Sequence, residues 1–120
     1  MPKILIIDDE LDICNTLVKV LRDEGYEMSA SQNAKKGLEL LESLRPNLVL
    51  LDMKMPEMDG IEALGRIREI NKDIPVVMIT GYGDLSTAKE SMKLGAFDYI
   101  TKPFDLSFLK STIRDALSGQ

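Results

Sequence analysis

Short apolar runs alternate with amphipathic segments along this chain of 120 residues. The apolar runs predict five strands, at residues 3–7, 26–30, 48–51, 75–79 and 97–100. Apolar positions at helical spacing predict four helices, at residues 12–24, 34–44, 61–70 and 85–94. A fifth helix is expected after Asp105, its N-cap, with Leu109, Ile113 and Leu117 facing inward. Asp12 is the expected N-cap of the first helix.

This strict alternation of strands with helices is typical of a parallel sheet that carries helices on both faces. Right-handed crossovers make such a sheet doubly wound. We therefore expect an α/β protein with a flavodoxin-like (βα)5 fold. Its strand order, 2-1-3-4-5, is taken from known folds of that type and not from these residues. No linker, repeat or low-complexity tract interrupts the pattern, so residues 1–120 are expected to form one domain.

Polar residues follow four of the five predicted strands at their carboxyl ends. Asp8 and Asp9 follow the first strand, Asp52 the third, Thr80 the fourth and Lys102 the fifth. Open parallel sheets bind ligands outside these ends, at the point where the strand order reverses. In the order 2-1-3-4-5 that point lies between the first and third strands. We therefore expect the three aspartates to meet there.

Three neighbouring carboxylates repel one another, and a hard divalent cation relieves that repulsion. Carboxylates, a backbone carbonyl and water suit Mg²⁺, and Mn²⁺ accepts similar ligands. An aspartate can act as a covalent nucleophile toward phosphorus, while a metal and a lysine stabilise the charge on the phosphoryl oxygens. The pattern thus predicts phosphoryl chemistry at Asp52, with Thr80 and Lys102 holding the phosphoryl oxygens.

Composition removes several other classes of function. The net charge of −5 argues against nucleic acid as a direct partner of this segment. The single cysteine, Cys14, allows no internal disulfide, and the lack of histidine excludes Ser-His-Asp and Cys-His catalysis and His-ligated zinc. No apolar run approaches the length of about 18 residues that would span a bilayer, and no signal peptide is evident. We expect a cytoplasmic protein without a membrane partner.

Four motifs together resemble the signature of response-regulator receiver domains, in order and in spacing. These motifs are Asp8-Asp9, the stretch 52–60, Thr80-Gly81 and Lys102-Pro103-Phe104. The resemblance covers essentially the whole chain and implies that Asp52 is the phosphoacceptor. It also implies that Asp9 binds the metal directly, that Asp8 contributes mainly through water, and that Met53 supplies a backbone carbonyl.

The same resemblance assigns the residues that surround the phosphoryl group. It implies that Thr80 and Lys102 contact the phosphoryl oxygens and that Tyr99 is the aromatic residue of the switch. It also implies a cis peptide bond between Lys102 and Pro103, which only a bond preceding proline adopts at low cost.

The function implied by the resemblance is that of a signalling domain rather than an enzyme. A sensor histidine kinase or a phosphotransfer protein would donate the phosphoryl group from a phosphohistidine, and the domain would catalyse only its own phosphotransfer and autodephosphorylation. The face formed by the fourth helix, fifth strand and fifth helix would then change, and a homodimer could form there. The stretch 81–104 is similar to receivers of enhancer-binding transcription activators, whereas the stretch 52–54 is similar to single-domain phosphorelay intermediates.

Two bulky side chains are expected to flank the phosphoryl group. Lys54 and Tyr82 lie two residues beyond Asp52 and Thr80 respectively. Our hypothesis is that they obstruct the attacking water and slow autodephosphorylation.

Two other functions are alternatives to a phosphorylated receiver. Aspartate-dependent phosphatases of the haloacid dehalogenase type expect a second aspartate two residues after the nucleophile, where this chain has Lys54. An unphosphorylated pseudo-receiver would be a pure interaction module, and the intact acidic set counts against it.

Overall fold

One five-stranded parallel sheet organises the chain in a computed structural model that describes residues 1–81 and 85–119. The strands are β1 (Lys3–Ile7), β2 (Glu27–Ser31), β3 (Leu48–Leu51), β4 (Val76–Thr80) and β5 (Asp98–Thr101). The helices are α1 (Leu11–Asp23), α2 (Ala34–Leu44), α3 (Gly60–Ile70), α4 (Leu85–Lys93) and α5 (Leu106–Ser118). The order β2-β1-β3-β4-β5 confirms the expected fold class and strand order.

Helices cover both faces of the sheet because successive residues of a strand point to opposite sides. Ile4 and Ile6 pack in a core cluster with residues of α1 and α5, whereas Leu5 and Ile7 pack in a second cluster with residues of α2 and α3. All of β3 is buried, so it is apolar along its whole length. The first polar residue after β3, Asp52, therefore stands at the carboxyl edge of the sheet.

The strand register brings the carboxyl ends of neighbouring strands to the same level. Ile7 pairs with Leu51, and the N–H of Asp52 donates a hydrogen bond to the carbonyl oxygen of Ile7 at 2.9 Å. On the other side of the sheet, Thr80 pairs with Thr101. Residues that immediately follow β1, β3 and β5 are thus placed along one edge.

The first helix begins earlier than the sequence pattern predicted. Its N-cap is Glu10, and the expected cap, Asp12, lies in the first turn, where the helix dipole favours a negative charge. The reason is a tight turn after β1, in which a carboxylate oxygen of Asp8 accepts a hydrogen bond from the N–H of Glu10 at 2.9 Å. The other expected cap, Asp105, is confirmed, because its side chain accepts from the N–H of Ser107.

None of the helices within residues 1–81 and 85–119 has both the length and the apolar character that crossing a membrane requires.

Candidate functional site

Three acidic side chains meet at the carboxyl edge of the sheet. Asp8, Glu10 and Asp52 each present a carboxylate oxygen, and these oxygens lie within 4.8 Å of one another. Asp8 and Asp52 are only 3% and 4% exposed, whereas Glu10 is exposed. Burying carboxylates is costly unless they are paired or bind a cation. The cluster therefore requires a compensating positive charge.

Lys102 supplies that positive charge in the protein itself. Its Nζ lies 2.9 Å from Oδ2 of Asp8, 3.1 Å from Oε1 of Glu10 and 3.7 Å from Oδ1 of Asp52. Burial by itself would lower the pKa of Lys102, but the hydrogen bonds to Asp8 and Glu10, and the charges of Asp8 and Asp52, outweigh it and raise the pKa. The lysine is therefore held as an ammonium ion over the acids.

The environment of Asp52 disfavours its charged form. Burial, followed by the negative charge of Asp8, raises the pKa of Asp52 from 3.8 to about 6. The ammonium of Lys102 and a hydrogen bond from the N–H of Met53, at 2.9 Å from Oδ1, act in the opposite direction. Asp52 is still mostly ionised above neutral pH, but any group that neutralises its charge is favoured there.

The backbone packs closely around Asp52. The N–H of Gly60 donates to the carbonyl oxygen of Met53 at 2.6 Å, so that the start of α3 lies directly against the end of β3. A Cβ at position 60 would lie 2.6 Å from the carbonyl oxygen of Asp52 and 2.6 Å from Cα of Met53. Only glycine allows this approach. The Met53 carbonyl, expected as a metal ligand, keeps a second lone pair beside the hydrogen bond to Gly60.

A cavity of about 440 Å³ opens over the acidic cluster. Its lining consists of Asp9, Glu10, Asp52, Lys54, Met55, Pro56, Thr80 and Gly81. Since one water takes up about 30 Å³ in the liquid, the cavity has room for a phosphoryl group together with several waters. Asp52 therefore presents its carboxylate to a ligand-sized space.

Glu10 is the site residue that sequence reasoning missed. Glu10, and not Asp9, completes the group of three carboxylates, while Asp9 is exposed and lines the cavity. The available signal was the position of Glu10 immediately after the acidic pair. An Asx turn at Asp8 brings Glu10 back over the site, because the Asp8 side chain accepts from the N–H of Glu10, but the sequence does not indicate which of the following acids it directs there.

The remaining expected residues are distributed around the same cavity. Thr80 is fully buried at its wall, and Lys54 is exposed at its wall. Tyr82 lies outside the described residues. The expected cis bond between Lys102 and Pro103 is present, and the N–H of Lys102 donates to the carbonyl oxygen of Thr80 at 2.8 Å.

Tyr99 lies farther along the same side of the sheet. Its ring is half-buried and packs against the core cluster that includes Met78. Its hydroxyl oxygen lies 3.2 Å from Oγ1 of Thr87, which belongs to α4. Tyr99 thus connects β5 with α4.

Comparison with known proteins identifies the family. The profile of the response regulator receiver domain matches residues 4–114. Sporulation initiation phosphotransferase F of Bacillus subtilis is 42% identical over 115 residues, which cover 96% of this chain and 93% of that protein. Regulatory protein AtoC of Escherichia coli is 40% identical over 118 residues, and this chain spans only 26% of its length.

Solved structures agree with the sequence relatives. A CheY-like response regulator receiver domain protein from Methanospirillum hungatei superimposes with a TM-score of 0.96 at 34% identity, over 99% of this chain and 95% of that chain. NtrX from Brucella abortus gives a TM-score of 0.91 at 35% identity, over 98% of this chain and 28% of that chain. The chain therefore belongs to the response regulator receiver domain family, the signalling domains of two-component systems.

Proposed function

We propose that Asp52 accepts a phosphoryl group from the phosphohistidine of a sensor histidine kinase or a phosphotransfer protein. The observation that carries this proposal is the placement of Asp52. Its buried carboxylate faces a cavity, 3.7 Å from the Lys102 ammonium, at the carboxyl edge of the sheet. A carboxylate oxygen can attack phosphorus as a covalent nucleophile, and the nearby Lys102 ammonium offsets the negative charge that the phosphoryl group brings.

The transfer forms a bond between an Asp52 oxygen and phosphorus while the bond from phosphorus to the donor's histidine nitrogen breaks. The nitrogen leaves with the bonding electron pair. Negative charge is spread over the phosphoryl oxygens as this happens. We assign the Lys102 ammonium and the Thr80 hydroxyl of this chain to those oxygens, where they stabilise the developing charge.

A divalent cation, Mg²⁺ or Mn²⁺, is part of this proposal. Asp8 and Asp52 offer buried carboxylate oxygens that lie close together, which is the hard oxygen donor set that such a cation requires. We assign Asp8, Asp9, Asp52 and the Met53 carbonyl as the groups that would hold it. When bound, the ion neutralises negative charge shared between the acids and the phosphoryl oxygens.

The phosphorylated side chain carries a charge of about −1.5 to −2 in place of the single charge of the carboxylate, and this change biases the domain toward a second state. We propose that Thr80 moves toward the phosphoryl group and that Tyr99 fills the vacated space. Because the Tyr99 hydroxyl lies 3.2 Å from that of Thr87, this movement would break the hydroxyl link to α4. Only Ser91 of α4 is buried, so the helix has little packing to resist a shift.

The output surface is the face formed by α4, β5 and α5. Met92 and Phe97 are half-exposed apolar side chains on α4 and just before β5, and a change in α4 would alter their surroundings. We place the contact with a downstream partner, or with a second copy of the chain, on this face.

Hydrolysis returns the domain to its first state, and we propose that Lys54 and Tyr82 slow it. Lys54 stands at the cavity wall, where it can shield phosphorus from water. Replacing both with alanine should shorten the lifetime of the phosphorylated form. An unchanged lifetime would remove the shielding role.

The decisive experiment is labelling with acetyl phosphate and Mg²⁺, followed by mass spectrometry. The wild-type protein should gain one phosphoryl group, Asp52→Asn should gain none, and the exposed-acid control Asp12→Asn should behave as wild type. Labelling of Asp52→Asn would overturn the assignment. A wild-type protein that resists labelling would favour a pseudo-receiver, and rapid turnover of small phosphoesters would favour a phosphatase.

A further inference from the structure

The side chain of Glu10 does not cap α1, although Glu10 is the residue at which that helix begins. Glu10 is the N-cap residue of α1, a position where side-chain oxygens usually accept hydrogen bonds from the first turn. Its side chain makes no such bond. Instead, Oε1 accepts a hydrogen bond from Nζ of Lys102 at 3.1 Å, across 92 positions of sequence. The Glu10 side chain therefore binds a residue of the acidic site and does not cap the helix.

Glu10 also orients a second member of the cluster. Its backbone N–H donates to Oδ1 of Asp8 at 2.9 Å, while Oδ2 of Asp8 accepts from Nζ of Lys102 at 2.9 Å. The three residues form a closed ring of hydrogen bonds. The backbone N–H of Glu10 thus orients the Asp8 carboxylate, and its side chain is one of the carboxylates that hold the Lys102 ammonium.

The three acids around Lys102 differ in their surroundings. The side chains of Asp8 and Asp52 are 4% and 5% exposed, whereas that of Glu10 is 59% exposed. A cation taken up by the two buried acids would repel the ammonium of Lys102, since both are positive. Glu10 is then the carboxylate that stays available to Lys102, because it faces the rim of the cavity.

We propose that Glu10 is a positioning residue that retains the Lys102 ammonium beside Asp52 when a divalent cation takes the carboxylates of Asp8 and Asp52. This inference rests on the proposed function, because it assumes that those acids bind the cation. Without Glu10, the flexible lysine side chain would lose its partner and turn toward solvent. It would then be absent from the place where phosphoryl charge develops.

Calorimetric titration with Mg²⁺ tests the role in a double-mutant cycle of wild type, Glu10→Gln, Lys102→Met and the double variant. Glu10→Gln should raise the Mg²⁺ Kd about two- to fivefold, because the ammonium that the cation displaces from Asp8 and Asp52 then has no carboxylate to pair with. A change of this size is expected for an ion pair with one exposed partner. In the Lys102→Met background, the same change should alter the Kd by less than about twofold. Asp12→Asn controls for the loss of one negative charge near α1.

An equal loss of affinity in both backgrounds would mean that Glu10 acts directly on the cation, and would overturn the proposal. Unchanged affinity of Glu10→Gln in the otherwise wild-type chain would also overturn it. If Lys102→Met does not fold, Lys102→Gln replaces it in the cycle. If the wild-type protein neither binds Mg²⁺ nor is phosphorylated by acetyl phosphate, the proposed function is refuted as well. If it does both, but the cycle shows no coupling between Glu10 and Lys102, only the role of Glu10 is refuted.

Discussion

The ammonium nitrogen of Lys102 lies 2.9 Å from a carboxylate oxygen of Asp8, although the two residues are 94 positions apart. Their side chains are 12% and 4% exposed, so the pair is largely shielded from water. Such a pair contributes little net stability, but removing one partner leaves an uncompensated buried charge. Here the remaining charge would also face Asp52. This contact therefore makes the site sensitive to loss of the lysine.

We expect Lys102→Met to lower the free energy of unfolding by about 2–4 kcal/mol in EDTA, because it leaves buried carboxylates without a cation. Added Mg²⁺ should restore part of the loss. Urea denaturation with and without Mg²⁺ measures both effects. Lys110→Met is the matched control, because Lys110 pairs with Glu24 at 3.7 Å with about a third of each side chain exposed. Equal losses for the two variants would contradict this view of the site.

The protonation of Asp52 predicts a pH-dependent stability. Its pKa is raised from 3.8 to about 6, so between these values the folded chain binds a proton that the unfolded chain has released. The contribution of this group to stability is therefore lost as the pH rises through that interval.

Asp52→Asn removes this penalty. It should raise the free energy of unfolding at pH 7.5 by about 1–3 kcal/mol in EDTA, with the gain disappearing near pH 4. Urea denaturation at both pH values checks the expectation. Glu39→Gln, at an exposed position within α2, shows how much of any gain comes from the loss of one negative charge alone. A less stable Asp52→Asn variant at pH 7.5 would mean that the carboxylate is not disfavoured.

The two glycines of α3 should respond in opposite directions to alanine. At position 60 the added Cβ meets backbone atoms of Asp52 and Met53 at 2.6 Å, so Gly60→Ala should cost about 1–3 kcal/mol. At position 65 nothing lies within 4 Å, so Gly65→Ala should stabilise the helix by about 0.5–1 kcal/mol. Thermal unfolding of both variants compares them directly. Similar changes in stability for the two variants would show that the backbone at the end of β3 shifts at little cost to make room for the added Cβ.

The hydroxyl contact between Tyr99 and Thr87 should be measurable as a coupling. Tyr99→Phe and Thr87→Val should each lower the free energy of unfolding by about 0.5–1.5 kcal/mol, because each removes one partner of a partly buried hydrogen bond. The double variant should lose less than the sum, since both single changes remove the same bond. Strictly additive losses from urea denaturation would indicate that the two hydroxyls do not stabilise each other.

The sequence alone located the elements and the acids that follow the strands. Apolar runs and helical spacing are local properties, so they placed the bounds of the five strands and of the first four helices to within one residue of the structure, whereas no end was predicted for the fifth helix. The strong apolar character of β3 also predicted that a buried strand ends immediately before Asp52. The strand order was borrowed from known folds, because a local pattern does not determine which strands become neighbours.

Tertiary structure decided the contacts that join distant parts of the chain. Only the folded chain shows that the guanidinium of Arg68, in α3, donates to the carbonyl oxygens of Leu94 and Gly95, just beyond α4. In the same way, only the folded chain shows that Glu10, the residue after Asp9, is a partner of Lys102. Which side chains meet depends on strand register, turn geometry and helix placement together, and no local pattern of hydrophobic and polar residues encodes that combination.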